Sequence, residues 1–418
     1  MILRQILTGQ ESVIVVLSQV MELQVSLEEI RHYMSRYEGF FSRSEARDLA
    51  ARYVWGLVCE GHRKAVGSMA DHTGVSERSL QRLLTQVKWD FAGMYRAYVN
   101  SMASRHGDPD GVLVAGQTVF PKRGGHSVCV ARQYSEELGR MVSSQMAIDM
   151  IFVGRECSWP FAMELYMPGF WDKRRDAACR LRREKARIPQ DIHHAQQWEL
   201  ALDMVNLASE VFPSPHAVTA GTFLGEVAAF RDALDRTGHH YLVEIPANTE
   251  VFREKPDLKE ADRKRRKRGR PRKHHTMMEA EVPPEHVSEI DTSIPADQGS
   301  LKGAGGNHAV FCLGTVWPAQ DYRDGILHVP VQLVAPYQRG EATGPAQRYY
   351  LSSLPKAGGC EDIGYILDAR RKAQTCKEDM IHRLGLLQHE GRSWIGWHRH
   401  VLLVFLACGF LLERAFPT

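Results

Sequence analysis

The run GVLVAGQTVF (residues 111–120) decides how the rest of the chain is read. Gly111 to Ala115 make an apolar strand, which enters a short polar turn at Gly116, Gln117 and Thr118 before reaching Phe120. HSVCVARQY (126–134) and SSQMAIDMIFVG (143–154) follow with Gly-containing turns between them, the pattern of an antiparallel meander. WPFAMELYMP (159–168) extends the sheet. Beyond it lie an amphipathic helix (196–209), a strand HAVTAG (216–221), a helix (226–238) and a strand HYLVEIP (240–246). Strands that first meander and then alternate with helices predict a mixed sheet flanked by helices, an α/β architecture.

Upstream, residues 1–100 read as helical, with apolar positions at helical spacing through Ile14, Leu17 and Met21 and again through Ala46, Leu49, Tyr53 and Leu57. Within them RKAVGSMADHTGVSERSLQRLL (63–84) has a helix-turn-helix outline. Gly74 permits the turn, Ser76 caps the second helix, and Ala70, Leu80 and Leu83 face inward. Arg78, Gln81 and Arg82 face outward, with side chains suited to phosphates and base edges. A plain helical hairpin with a solvated polar face has the same pattern.

Downstream, RKRRKRGRPRK (263–273) is the sharpest charge feature. Its RGRPRK core (268–273), with Arg268, Arg270, Arg272 and Lys273, resembles an extended minor-groove-binding hook, and together with Arg265 and Arg266 ahead of it the run would supply salt-sensitive phosphate affinity. Its bland counterpart is a solvated linker, and the Pro- and Glu-containing stretch after it reads as flexible. A second basic stretch, WDKRRDAACRLRREKAR (171–187), predicts a helix on which Arg174, Arg175, Arg180, Arg182, Arg183 and Lys185 cannot share one face, so part of it is solvent-exposed while the rest, with Arg174 and Arg175, is a candidate for contact with the DNA backbone. Strand-like sequence returns over 308–355, and the tail from about 360 is helical.

Composition sets the class. The 418 residues are 44% apolar and 25% charged, ordinary for a globular protein of two or three domains. A net charge of +3 does not by itself imply nucleic acid. Eight cysteines without a CxxC pair predict reduced thiols rather than a zinc ribbon or disulfide frame. No signal-peptide pattern opens the chain, and the apolar run at 401–412 is shorter than the roughly 20 residues of a membrane span. The expectation is a cytoplasmic, nucleoid-associated protein without membrane contact.

Taken in order, these blocks resemble a DDE transposase of the insertion-sequence type 701 group. LQRLL followed by WD (80–84, 89–90), DPDGVLV (108–114), RQYS (132–135), ELYMP (164–168), HAVTAGTFLG (216–225), RYYLSSLP (348–355) and RSWIGWHRHVLL (392–403) carry the likeness. It implies an RNase H-like core in which three carboxylates hold two Mg²⁺ ions about 4 Å apart. On that plan residues 1–100 form a helical domain and 105–250 the first part of the core. Residues 251–300 then form the basic flexible segment, 301–355 a β-rich insertion, and 356–418 the helices completing the core.

Carried over position by position, the first aspartate falls on Gly116, the second on Gly221 and the final glutamate on Gln374, or its neighbour Thr375. The resemblance thus implies a transposase-like DNA-binding protein whose catalytic acids are replaced, with no cofactor expected. The implied partners are double-stranded DNA, including transposon terminal repeats, and a second copy in a homodimer. The alternative is an active transposase with a rearranged Mg²⁺ site drawn from Asp108, Asp110, Asp149, Glu378 and Asp379. Against it, Asp149 reads as a lone polar residue on a strand, and Glu378 and Asp379 as a solvated helix face. Trp394, Trp397, His398, Arg399 and His400 would support the active-site region or simply pack a helix start. The His pairs at 193–194, 239–240 and 274–275 lack metal-ligand spacing.

Overall fold

The computed structural model describes residues 25–59, 63–122, 124–135, 139–172, 176–213, 216–256, 283–290, 308–323, 330–338, 348–355 and 359–416. Arg174, Arg175, the His pair at 274–275 and the whole of 263–273 lie outside them. The chain divides into two compact units: Met1–Gly111, Gly116–Pro213 and Arg371–Thr418 form the first, Val112–Ala115 and Ser214–Arg370 the second.

Among the described residues the first unit begins with five α-helices: α1 (Leu27–Ser35), α2 (Ser44–Val58), α3 (Val66–Thr73), α4 (Glu77–Thr85) and α5 (Phe91–His106). Their ends follow from capping chemistry. Ser26 and Glu29 close a capping box at α1, Ser76 accepts from the Ser79 amide at α4, and Asp90 accepts from Gly93 at α5. Between α3 and α4 the turn runs through Gly74, whose φ of +68° is the left-handed geometry that favours glycine.

Strand β1 (Val112–Pro121) follows and supplies this unit from Gly116 onward. Next come β2 (Ala131–Ser135), β3 (Arg140–Val153) and β4 (Ser158–Leu165), with β3 pairing antiparallel to both β2 and β4. β3 lies between β2 and β1 in the sheet order. The strand expected over 126–134 starts only at Ala131. Before it, Cys129 takes a left-handed φ of +55°, and Val128 is engaged by the Arg392 carbonyl and the Gln145 side chain instead of a ladder. Helices α6 (Ala177–Lys185) and α7 (Gln197–Val211) complete this stretch, α7 packing on β3.

In the second unit, β1 residues Val112–Ala115 pair in parallel with β5 (Ala217–Ala220). Helices α8 (Thr222–Gly225) and α9 (Ala228–Arg236) cross over to β6 (Tyr241–Ile245), which pairs in parallel with β5. Leu113, Val218, Leu242 and Val243 are fully buried, as parallel strands require. Gly225 lets α8 rest on β6, since a Cβ there would overlap the Glu244 carbonyl oxygen at 1.9 Å. The sheet continues antiparallel from β6 through strands later in the chain. These are β7 (Glu250–Phe252), β8 (Glu285–His286), β9 (His308–Pro318), β10 (Val331–Gln338) and β11 (Tyr349–Ser352), ordered β6-β11-β10-β9-β7-β8. Helix α10 (Ala319–Arg323) lies between β9 and β10.

Helix α11 (Gly359–His382) passes back to the first unit, which ends with α12 (Trp394–Ala415). From Arg399 to Leu412 every residue of α12 is buried, and the helix packs on α2, α4, α5 and β4. It has the length and apolar composition of a membrane span, yet 89% of its most apolar window is covered by the protein itself. It is a core helix. Mixed parallel and antiparallel strands flanked by helices make this an RNase H-like α/β fold, the class expected from the sequence.

Candidate functional site

At the end of β1 the polar turn is built around a buried ion pair. The Lys377 ammonium lies 3.0 Å from Asp149 Oδ2 and donates to the Gln117 carbonyl at 3.0 Å. Thr118 Oγ1 donates to the other carboxylate oxygen, Asp149 Oδ1, at 2.7 Å. Both charges are withdrawn from water, with side-chain exposure of 13% for Lys377 and 3% for Asp149. Asp149 is therefore no lone strand residue. Burying it without a partner would cost several kcal/mol, and β3 can hold it there because α11 delivers a cation.

Gly116 sits against this pair. A Cβ on Gly116 would lie 2.7 Å from both Asp149 Oδ2 and Lys377 Nζ. The volume that a side chain at 116 would enter is already taken by the lysine–aspartate contact.

Gly221, in the second unit, has different surroundings. It precedes α8 with an extended backbone, φ −75° and ψ −177°, that any residue adopts. A Cβ there would meet only Phe223 at 3.7 Å and Arg370 Nη2 at 4.0 Å. Arg370 donates to the Ala220 carbonyl, pairs with Glu244 and lies over the Tyr350 ring.

Gln374 stands on the exposed face of α11 and donates to Glu378 Oε1 at 2.9 Å. Lys377, three residues further on, is the next residue along that side of α11, and its ammonium turns inward to Asp149. Thr375 donates back to the Arg371 carbonyl. Thus the positions assigned to the triad offer two glycines and a neutral amide, not the anionic oxygens that Mg²⁺ takes.

The other acids are occupied elsewhere. Asp108 accepts from the Asp110 and Arg155 amides, and Asp110 pairs with Arg155. Asp379 departs from the solvated face expected for it: it is half-buried and paired with Arg383 at 2.8 Å, and burial pushes its carboxyl up. Among the described residues no group of three or more His, Cys, Asp or Glu side chains is placed to hold a metal ion. The described residues at these positions do not fit a two-metal carboxylate site.

The outward residues of α4 are arranged as the sequence predicts. Arg78, Gln81 and Arg82 are exposed, while Leu80, Leu83 and Leu84 are buried. Gln81 is tied to Glu77 at 2.7 Å. Arg399, from α12, holds the end of α4: its guanidinium donates to the Leu83 and Leu84 carbonyls and lies 4.8 Å from the Trp89 ring centroid. A cation on the last carbonyls of a helix satisfies both the open acceptors and the negative end of the dipole.

The basic stretch at 171–187 divides. The helix begins only at Ala177, where Asp176 caps it, and Trp171 lies in the 3-10 turn Gly169–Asp172. Arg183 is buried, giving hydrogen bonds to the Trp171, Pro189 and Ile192 carbonyls and pairing with Asp172. It is a structural cation, not a phosphate ligand. Arg182 lies over the Phe170 and Trp171 rings, and Lys185 remains exposed.

The closing block supplies packing. Ser393 caps α12, Trp397 meets Phe120 edge-on at 5.4 Å, and His398 reaches Glu164 at 3.2 Å. His400 bonds to the Tyr53 hydroxyl and the Leu386 carbonyl and stacks on His389 at 4.9 Å. Burial pushes His400 down to about 4, and burial with the neighbouring His400 holds His389 well below its ordinary range. Of the two His pairs among the described residues, His194, His239 and His240 bond to the Met167, His216 and Ser353 carbonyls, and His193 lies 3.4 Å from the Asp172 carboxylate.

Sequence reasoning passed over Lys377 and gave Thr118 no role beyond its place in the polar turn. A signal existed for the lysine, because it stands one helical turn beyond the position expected for the final glutamate.

None of the curated proteins compared with the chain matches it. The family model described as DDE superfamily endonuclease matches residues 36–301, more than half of the chain, and that stretch includes β1, the Asp149 strand and the Gly221 turn. The chain belongs to the DDE superfamily endonucleases, the family of DDE-type transposases.

Proposed function

We propose that this protein is a transposase-like DNA-binding protein of the insertion-sequence type 701 group that does not cleave DNA or transfer strands. The observation that carries this reading is the lysine–aspartate pair at Gly116, which fills the strand end where the resemblance assigns the first metal-binding acid. The glycine at 221 and the amide at 374 point the same way. DNA contact is supported by the exposed α4 face with Arg78, Gln81 and Arg82 and by the basic run from Arg265 to Lys273. The proposed partner is double-stranded DNA carrying transposon terminal repeats, bound by a homodimer in the cytoplasm at the nucleoid. Such a protein would act as a regulator or as a competitor for transposon ends.

The test uses labelled duplexes carrying candidate terminal repeats, incubated with the protein and Mg²⁺ or Mn²⁺. The expected result is a gel shift that weakens steeply with salt and no cut or joined product. Strand cleavage abolished by Asp149→Ala or Glu378→Ala would establish the rearranged-site reading instead. A complete lack of salt-sensitive shift would leave only a fold remnant.

A further inference from the structure

We propose that Lys377 is a tethered cation that does, at the end of β1, the charge-neutralising work of a bound divalent ion, so that this strand end keeps its shape without metal. The ammonium touches the two kinds of oxygen a hard cation would take, the Asp149 carboxylate and the Gln117 carbonyl, each at 3.0 Å. Thr118 contributes a third oxygen beside them, 2.7 Å from Asp149. Among the described residues Lys377 is the one cation in salt-bridge range of Asp149. One positive charge meets one buried negative charge, and the turn is locally neutral.

The same geometry explains why a divalent ion is turned away. An ion at the carboxylate would meet the ammonium at close range, and like charges in a poorly solvated turn repel strongly. Lysine suits the role because its charge is compact and carried on a flexible four-carbon stem. That stem lets α11 deliver the charge to a strand end, and with glycine at 116 no side chain stands in its path. Removing the lysine would expose carboxylate, hydroxyl and carbonyl oxygens together and uncover a latent divalent site.

The inference rests on the proposed function only for equating position 116 with a metal-binding position, and its test is independent of DNA. The full chain, K377A, K377R, D149N/K377M and G116D/K377A are melted in EDTA and in millimolar Mn²⁺, with Mn²⁺ binding followed by electron paramagnetic resonance. The wild type and K377R should melt at the same temperature in both buffers and bind no Mn²⁺ at this turn. K377A should be less stable in EDTA and regain about 5 °C when Mn²⁺ is present well above its dissociation constant. G116D/K377A, with two carboxylates, should bind Mn²⁺ about tenfold more tightly than K377A. D149N/K377M, with both charges gone, should melt above K377A in EDTA and ignore Mn²⁺.

Should K377A not fold in EDTA, its refolding yield in Mn²⁺ becomes the readout, and recovery supports the proposal. No recovery, an Mn²⁺-indifferent K377A, or a D149N/K377M as unstable as K377A would overturn it. Equal Mn²⁺ stabilisation of the wild type would overturn it as well. None of these outcomes bears on DNA affinity, whereas Mg²⁺-dependent cleavage by the wild type would sink the proposed function while leaving the K377A result standing.

Discussion

The ends of β1 and β5 both carry a glycine, yet the two glycines stand in opposite environments. At Gly116 the neighbouring space holds a buried ion pair, and a single added carbon would meet two charged atoms at 2.7 Å. At Gly221 the nearest side-chain atoms stand at 3.7 and 4.0 Å, ordinary contact distances. The first strand end is filled by charged side chains, and the second leaves room at ordinary contact distance, with the Arg370 guanidinium facing the gap. A glycine at a strand end can therefore stand in filled or in open space, and only the filled one resists an added side chain.

The largest way to break this contrast is to remove half of the ion pair. Asp149→Ala strands the Lys377 ammonium in a closed turn, and stability should fall by about 3–5 kcal/mol. Urea unfolding checks it, and a loss under 1 kcal/mol would mean the turn is not organised by charge.

Acidification should act on the same unit at another place. The folded-state value of His400 lies below its ordinary value near 6.5, so as pH falls the unfolded chain takes up the proton first. Its contribution to stability is complete above about pH 6.5 and is lost progressively down to about pH 4, roughly 3 kcal/mol in total. His389 is shifted in the same direction and adds to the loss. Unfolding midpoints measured between pH 7 and 4 test this, and His400→Gln should flatten the profile.

The sharpest comparison is a matched pair. Gly116→Ala should destabilise by about 1–3 kcal/mol because it must displace the lysine or the carboxylate. Gly221→Ala should be neutral or stabilise by about 0.4–1 kcal/mol, since its backbone is extended and the space is open. Equal effects at both sites would mean that the two glycines do not differ in the space around them.

The smallest stability effects belong to α4. Arg78→Ala and Arg82→Ala should change stability by no more than about 0.5 kcal/mol. Each should nonetheless lower the salt dependence of DNA binding by about one unit of slope. Fluorescence anisotropy over a salt series reads both affinity and slope, and unchanged slopes would remove α4 from the DNA interface.

Much of the layout could be read from residue order, because it depends on local rules. Gly74 and Ser76 announce the turn between α3 and α4, and the βαβ alternation around Val218 and Leu242 announces the parallel strands. What escaped depends on partners far along the chain. Asp149 looks isolated until α11 brings Lys377 to it, and Arg183 looks like one more surface cation until Pro189 and Ile192 fold back over it. The strand predicted from 126 fails at Cys129, whose left-handed backbone no propensity rule anticipates. Gly225 is dictated by the approach of the Glu244 carbonyl, a tertiary fact without a local trace.

The anchoring of the early helices on α12 also governs when they can form during synthesis. Tyr53 bonds to His400, Arg36 pairs with Glu413, and the end of α4 is held by Arg399, contacts spanning 347, 377 and up to 316 residues. Translation at about 5–20 residues per second places the arrival of those partners on the order of tens of seconds after the first helices leave the ribosome. Until then α4 lacks its α12 partner, so a nascent or prematurely terminated chain would not hold Arg78, Gln81 and Arg82 on a fully anchored helix.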